Sequence, residues 1–78
     1  LFAFTEYFAY TRKRKDSASI NDEYIEYVID NYEKEEIQQD GRIRRWAFID
    51  KESKYLRVIM LPDGKTVHNA FFDRTYKG

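Results

Sequence analysis

Apolar residues follow two different periods along this 78-residue chain. Up to about residue 36 they recur at helical spacing, and from Arg42 on at strand spacing. Residues 1–4, Leu-Phe-Ala-Phe, form a short apolar run that suits a strand. Thr5 follows as a helix N-cap, with Glu6 in the first turn, where an acid faces the positive end of the dipole. Phe4, Phe8 and Thr11 then fall at i, i+4, i+7, a narrow stripe, and the bases Arg12–Lys15 close this first helix. Residues 16–19 read as a linker. Asn21 is a second N-cap, backed by Asp22 and Glu23, and Ile20 is placed to staple onto Ile25. Ile25, Val28, Ile29 and Tyr32 lie at i, i+3, i+4, i+7 and predict an amphipathic helix. Residues 33–36, Glu-Lys-Glu-Glu, read as its solvated tail.

After Gln38-Gln39-Asp40-Gly41 the period changes. Arg42–Ile49, rich in aromatic and β-branched residues, predicts a strand. Tyr55–Leu61, apolar except for Arg57, predicts a second, and Thr66–Phe72 a third. Two helices followed by such strands predict an α+β domain, with two N-terminal helices packed on a mainly antiparallel sheet of three to four strands. The turn at Pro62-Asp63-Gly64 decides the register. A three-residue loop pairs Leu61 with Lys65 and sets Arg57 opposite Asn69 and Val58 opposite His68. A two-residue Asp63-Gly64 loop shifts the count by one and brings Arg57 and His68 to one face. Proline before Asp-Gly favours the first, and the apolar face of Leu56, Val58, Met60, Val67 and Phe71 favours the second.

Composition narrows the functional classes. A chain this short makes one domain with a small core, which seven tyrosines, six phenylalanines and one tryptophan enlarge. It has no cysteine, so neither a disulfide framework nor a thiolate zinc site is available, as expected in a reducing compartment. The single histidine and scattered carboxylates predict no metal site and no cofactor. The apolar runs are far shorter than the roughly 18–20 residues of a membrane span, and no signal-peptide pattern is seen. A cytoplasmic protein without membrane contact is the expectation. Acids and bases balance at 14 each, which argues against nucleic-acid binding through bulk charge and leaves room for a local basic face.

A few residues carry candidate chemistry. Arg57 interrupts an otherwise apolar strand, which either marks a site or an open sheet face. His68 has a side chain that titrates near neutrality, suited to proton transfer, though a lone strand histidine also serves as a structural hydrogen-bonding group. Trp46 and Phe48, flanked by Arg42, Arg44 and Arg45, form either a base-stacking surface or core. Asp73-Arg74 reads as a local salt bridge of small energetic weight. Arg12–Lys15 reads as a phosphate patch or a solvated helix end.

The wording of the last strands adds a resemblance. Residues 54–76, Lys-Tyr-Leu-Arg-Val through Thr-Val-His-Asn-Ala-Phe-Phe-Asp-Arg-Thr-Tyr, with the Gly-Arg-Ile-Arg-Arg-Trp stretch at 41–46, resemble a group of small bacterial proteins, many of them cyanobacterial. That group looks like a branch of the RelE/ParE toxin superfamily. The resemblance implies two helices on a small sheet, a toxin of a type II toxin–antitoxin pair, and a cognate antitoxin as partner. For RelE-like members it implies metal-independent cleavage of mRNA, commonly on the ribosome. Carried over residue by residue, Arg57 matches the middle-strand arginine, Arg74 and Tyr76 match the C-terminal pair, and Arg42, Arg44 and Arg45 stand nearest to the charged residues of the preceding strand. Arg57, His68 and Arg74 are then the candidate catalytic set, with Arg42, Arg44, Arg45, Trp46 and Tyr76 holding RNA. Two departures stand against this: the net charge is zero, and the lysine pair of the RelE site has no counterpart. The alternative function is a non-catalytic protein-binding module of the same fold, docking through its aromatic and arginine face.

Overall fold

The structure is a computed structural model, and it describes residues 2–13 and 20–77. Among these, the order is β1 (Ala3–Phe4), α1 (Glu6–Thr11), α2 (Asp22–Asn31), β2 (Lys34–Ile37), β3 (Ile43–Ile49), β4 (Lys54–Met60) and β5 (Thr66–Phe72). The strands form one sheet in the order β1-β5-β4-β3-β2, parallel between β1 and β5 and antiparallel elsewhere. The α+β class and the two helices agree with the sequence reading. The sheet has five strands rather than three to four, and a strand precedes the helices.

Both helix starts form as their caps dictate. The Thr5 hydroxyl accepts from the Phe8 N–H at 3.1 Å, and Asn21 Oδ1 accepts from the Tyr24 N–H at 2.9 Å. Arg12 joins the two helices, donating to Asp22 Oδ1 (2.6 Å) and to the Ile20 carbonyl (2.9 Å). This arginine of the basic run is therefore a strut; Arg14, Lys15 and the linker 16–19 lie outside the described residues. Phe8, Ile20, Ile25 and Val28 press onto Ala47, Ile49, Leu56, Val58, Met60, Val67 and Ala70, and this is the core.

Residues 33–36 do not continue α2. Tyr32 turns extended, the Glu33 N–H bonds the Trp46 carbonyl at 2.8 Å, and Lys34–Ile37 pairs with β3. The reason is charge pairing across the ladder: Glu35 faces Arg45 (2.7 Å) and Glu36 faces Arg44 (3.8 Å). Acids that look like a solvated helix tail in the linear sequence are cross-strand partners. They also occupy an exposed edge strand with charge, which discourages a second chain from adding there.

Neither hairpin register holds throughout. The Leu61 N–H bonds the Thr66 carbonyl at 2.8 Å, so four residues, 62–65, make the turn. Asp63 organises it, accepting from the Lys65 and Thr66 amides and from the Thr66 hydroxyl. Met60 then pairs with Val67, as the shorter loop demands. Beyond a bulge the pairs are Ile59–Asn69, Val58–Ala70 and Arg57–Phe71, restoring the facing of the three-residue loop. His68 is the extra residue. Its insertion lets Val67 and Ala70, three positions apart, both enter the core.

Candidate functional site on the open sheet face

Alternation along β3 and β4 sends Ala47, Ile49, Leu56, Val58 and Met60 to the helices and the intervening residues to the opposite face. Trp46, Arg57 and Phe71 are cross-strand neighbours there, one row over three strands. The Arg57 guanidinium lies between the two rings, 5.2 Å from Trp46 and 4.9 Å from Phe71. It donates through Nη2 (2.6 Å) and Nε (3.1 Å) to Asp73 Oδ2, which also accepts from Trp46 Nε1 at 2.9 Å. Asp73 Oδ1 accepts from the Thr75 N–H and hydroxyl. Asp73 is buried, and burial alone would raise its pKa. The hydrogen bonds from Thr75, Trp46 and Arg57 outweigh that effect and hold the carboxyl well below the usual carboxylate range.

This corrects the local reading of Asp73-Arg74. Asp73 pairs with Arg57 across the sheet, while Arg74 is exposed. The tail that Asp73 anchors folds back over the open face. Tyr76 stacks on Trp46 (5.2 Å, 21°) and meets Tyr55 edge-on (4.8 Å, 84°). Trp46 is thus 3% exposed on the face away from the helices, buried by the tail and not by the main core.

His68 looks elsewhere. Its Nδ1 lies 3.2 Å from the Thr5 hydroxyl, and its ring stacks on Tyr7 (4.9 Å, 21°). The Thr5 oxygen already accepts from the Phe8 N–H, so its hydroxyl hydrogen is free to serve Nδ1, an arrangement that suits a neutral ring protonated at Nε2. Burial, and then the positive field of Arg42, lower its pKa in the same direction. Asn69 beside it accepts from the Ala70 amide at the bulge.

The candidate residues therefore separate. Along β5, His68 precedes Phe71, the partner of Arg57, by three residues, and Arg74 follows it by three. Three strand residues span about 10 Å. Arg57 is held by Asp73, past the end of β5, between Trp46 and Phe71, whereas His68 faces Thr5 and Tyr7. Arg45 belongs to the helix face, where it donates to the Ile29 carbonyl (3.0 Å) and Glu35 (2.7 Å) and covers the Tyr32 ring at 4.4 Å. Arg44 and Arg42 keep acids close, Glu36 at 3.8 Å and Asp40 at 3.5 Å. What the structure does bring together is Trp46, Arg57, Phe71, Tyr55, Asp73 and Tyr76. Tyr55 was not singled out from the sequence, and Asp73 was read only as the local partner of Arg74. Strand alternation places Trp46 and Arg57 on one face once β3 and β4 are paired, but nothing local marks the carboxylate that joins them.

Among the described residues no group of three or more His, Asp or Glu side chains is arranged to hold a metal ion. None of the described helices is long and apolar enough to cross a membrane. Fold and site together define a small α+β domain with a half-covered, aromatic and arginine-bearing sheet face. Comparison of the chain with family models, with curated proteins and with solved structures found no match.

Proposed function

We propose that this domain acts by binding a protein through its open sheet face, and that it is a non-catalytic member of the two-helices-on-a-sheet class that its sequence resembles. One observation carries the reading: Arg57 and His68 are each committed to separate partners, Asp73 just past β5 for the first, Thr5 and Tyr7 for the second. In-line cleavage of RNA needs a base and a cation on the same phosphate, each within hydrogen-bond reach of the reacting atoms. Arg57 instead donates through Nε and Nη2 to Asp73, and His68 faces Thr5 and Tyr7. A face of half-buried Phe48, Tyr55, Ile59 and Phe71 edged by Arg42 and Arg44 has the aromatic and arginine composition of an interface centre. In the cytoplasmic toxin–antitoxin setting that the resemblance implies, the partner is an antitoxin or the protein target of a toxin.

A second reading has one observation in its favour. His68 is held neutral beside the field of Arg42, and a neutral imidazole is what a general base requires. That reading is an endoribonuclease working through His68 with Arg42 rather than through Arg57. The two separate in one assay. Purified protein is incubated with mRNA, with and without translating ribosomes, as wild type, Arg57→Ala and His68→Ala. Under the binding reading no cleavage exceeds the background. Cleavage by wild type that His68→Ala abolishes, with the fold intact, overturns it.

A further inference from the structure

The geometry points to the seat of the Tyr76 ring as an exchangeable binding site for an aromatic side chain on an acidic segment of a partner, with the segment that follows Asp73 as its occupant in cis. The inference rests on the binding reading above and names the chemistry of the partner at that face. The tail has two unlike parts. Asp73 is an anchor: it is buried, its amide bonds the Tyr55 carbonyl at 2.9 Å, and its carboxylate takes Trp46, Arg57 and Thr75. Beyond it Arg74, Thr75 and Lys77 are exposed, and Tyr76 alone reaches back to the sheet as a large ring.

Its seat is three-sided. Trp46 is the floor at 5.2 Å, Tyr55 a wall at 4.8 Å, and the Lys34 ammonium lies 5.9 Å from the ring centre. These are contacts to a ring face, a ring edge and a π system, so any aromatic side chain can make them. The seat adjoins a hollow of ≈ 270 Å³ lined in part by Phe48, Lys54, Tyr55, Phe72 and Arg74. Of the cations around it, Lys54 and Arg74 are exposed and complement an acidic segment, whereas Lys34 is paired with Glu36 at 3.4 Å and Glu33 stands beside Tyr55. Lifting Tyr76 leaves the Asp73 anchor, the strand ladder and the main core in place, because none of those contacts involves residues 74–77 except the Thr75 bonds to Asp73. The tail competes from a few residues away, at an effective concentration in the millimolar range, so it holds the site against weak ligands and yields to a better one.

Trp46 is the sole tryptophan and forms the floor, so its fluorescence reads the seat directly. Wild type, Tyr76→Ala and Tyr76→Phe are compared, with far-UV circular dichroism as the check on folding. Tyr76→Ala should move Trp46 emission to longer wavelength with unchanged secondary structure, and Tyr76→Phe should keep the wild-type spectrum. Titration with the blocked peptide Glu-Glu-Thr-Tyr-Glu should return Tyr76→Ala emission to the wild-type position. That peptide should bind the alanine variant at least about tenfold more tightly than wild type, where the tail competes. Versions with Ala for Tyr, or Lys for each Glu, should bind more weakly. Unshifted emission in a folded Tyr76→Ala, no response to the peptide at millimolar concentration, or equal response to the alanine peptide overturns the proposal. So does unfolding of Tyr76→Ala, since a removable cover cannot be part of the core. Failure here leaves the outcome of the RNA-cleavage assay untouched, so it is distinguishable from failure of the binding reading.

Discussion

Removing the Asp73 carboxylate is the most informative perturbation of the open face. In Asp73→Ala, the Arg57 guanidinium stays wedged between Trp46 and Phe71 without its counter-ion, and the buried Trp46 Nε1–H loses its acceptor. Breaking a buried pair by deleting one partner costs about 3–5 kcal/mol. The Arg57 side chain is 21% exposed, however, so it recovers part of its hydration, and the expected loss is about 2–4 kcal/mol. A domain of this size has roughly 4–12 kcal/mol in all, so the loss is a large share of the total. Arg57→Ala should hurt comparably, since it strands a carboxylate whose side chain is 5% exposed and opens a gap between two rings. The double variant Asp73→Asn with Arg57→Met should cost less than the sum of its singles, with a coupling of about 1–3 kcal/mol. The assay is urea unfolding followed by Trp46 fluorescence at pH 7. Repeating it in acid adds a sign test. The Asp73 pKa is depressed in the fold, so its contribution is present above about pH 4 and is lost as pH falls through the range below. The acid loss should shrink in Arg57→Met. Single variants within about 0.5 kcal/mol of wild type, or additive singles, would refute the idea that this pair holds the C-terminal strand end in place.

Other expected outcomes concern single residues elsewhere in the fold. His68 has a lowered pKa in the fold, so the unfolded chain takes up its proton first; stability should fall as pH drops below about 6.5, and unfolding curves of His68→Gln should lose that dependence between pH 7.5 and 5.5. Gly41 has φ +91°, and a Cβ there would sit 3.2 Å from Pro62 Cγ, so Gly41→Ala should cost more than the about 1–2 kcal/mol of a left-handed residue alone. Gly64, at φ +70° with its nearest neighbour 3.8 Å away, should show only that backbone cost in a parallel melt. Leu56→Ala at the centre of the core should lose about 2–5 kcal/mol in the same urea assay.

The functional meaning of Arg57 changes with its surroundings. A lone arginine in an apolar strand suggests a phosphate contact. In the fold its fork is occupied by a carboxylate 16 residues later, and two rings cover its faces. Loss of any activity in Arg57→Ala therefore counts for catalysis only when stability is measured beside it.

Local chemistry sufficed for much of this protein. Thr5 and Asn21 cap their helices because a side-chain oxygen meets an amide within three residues. Ile25 and Val28 are buried because their spacing matches a helical turn. The span of β5 follows from its residues alone, since turn chemistry and strand propensity act over a few positions. What lay beyond reach was every decision made by a distant partner. Lys34–Ile37 became a strand because Arg44 and Arg45 waited on β3. His68 became a bulge because a four-residue turn and the apolar face behind it demand opposite registers. Asp73 found Arg57 rather than Arg74 because the ladder brings β5's end alongside β4. Each outcome balances charge, register and burial across the sheet, and those distances exist only once the chain has closed on itself.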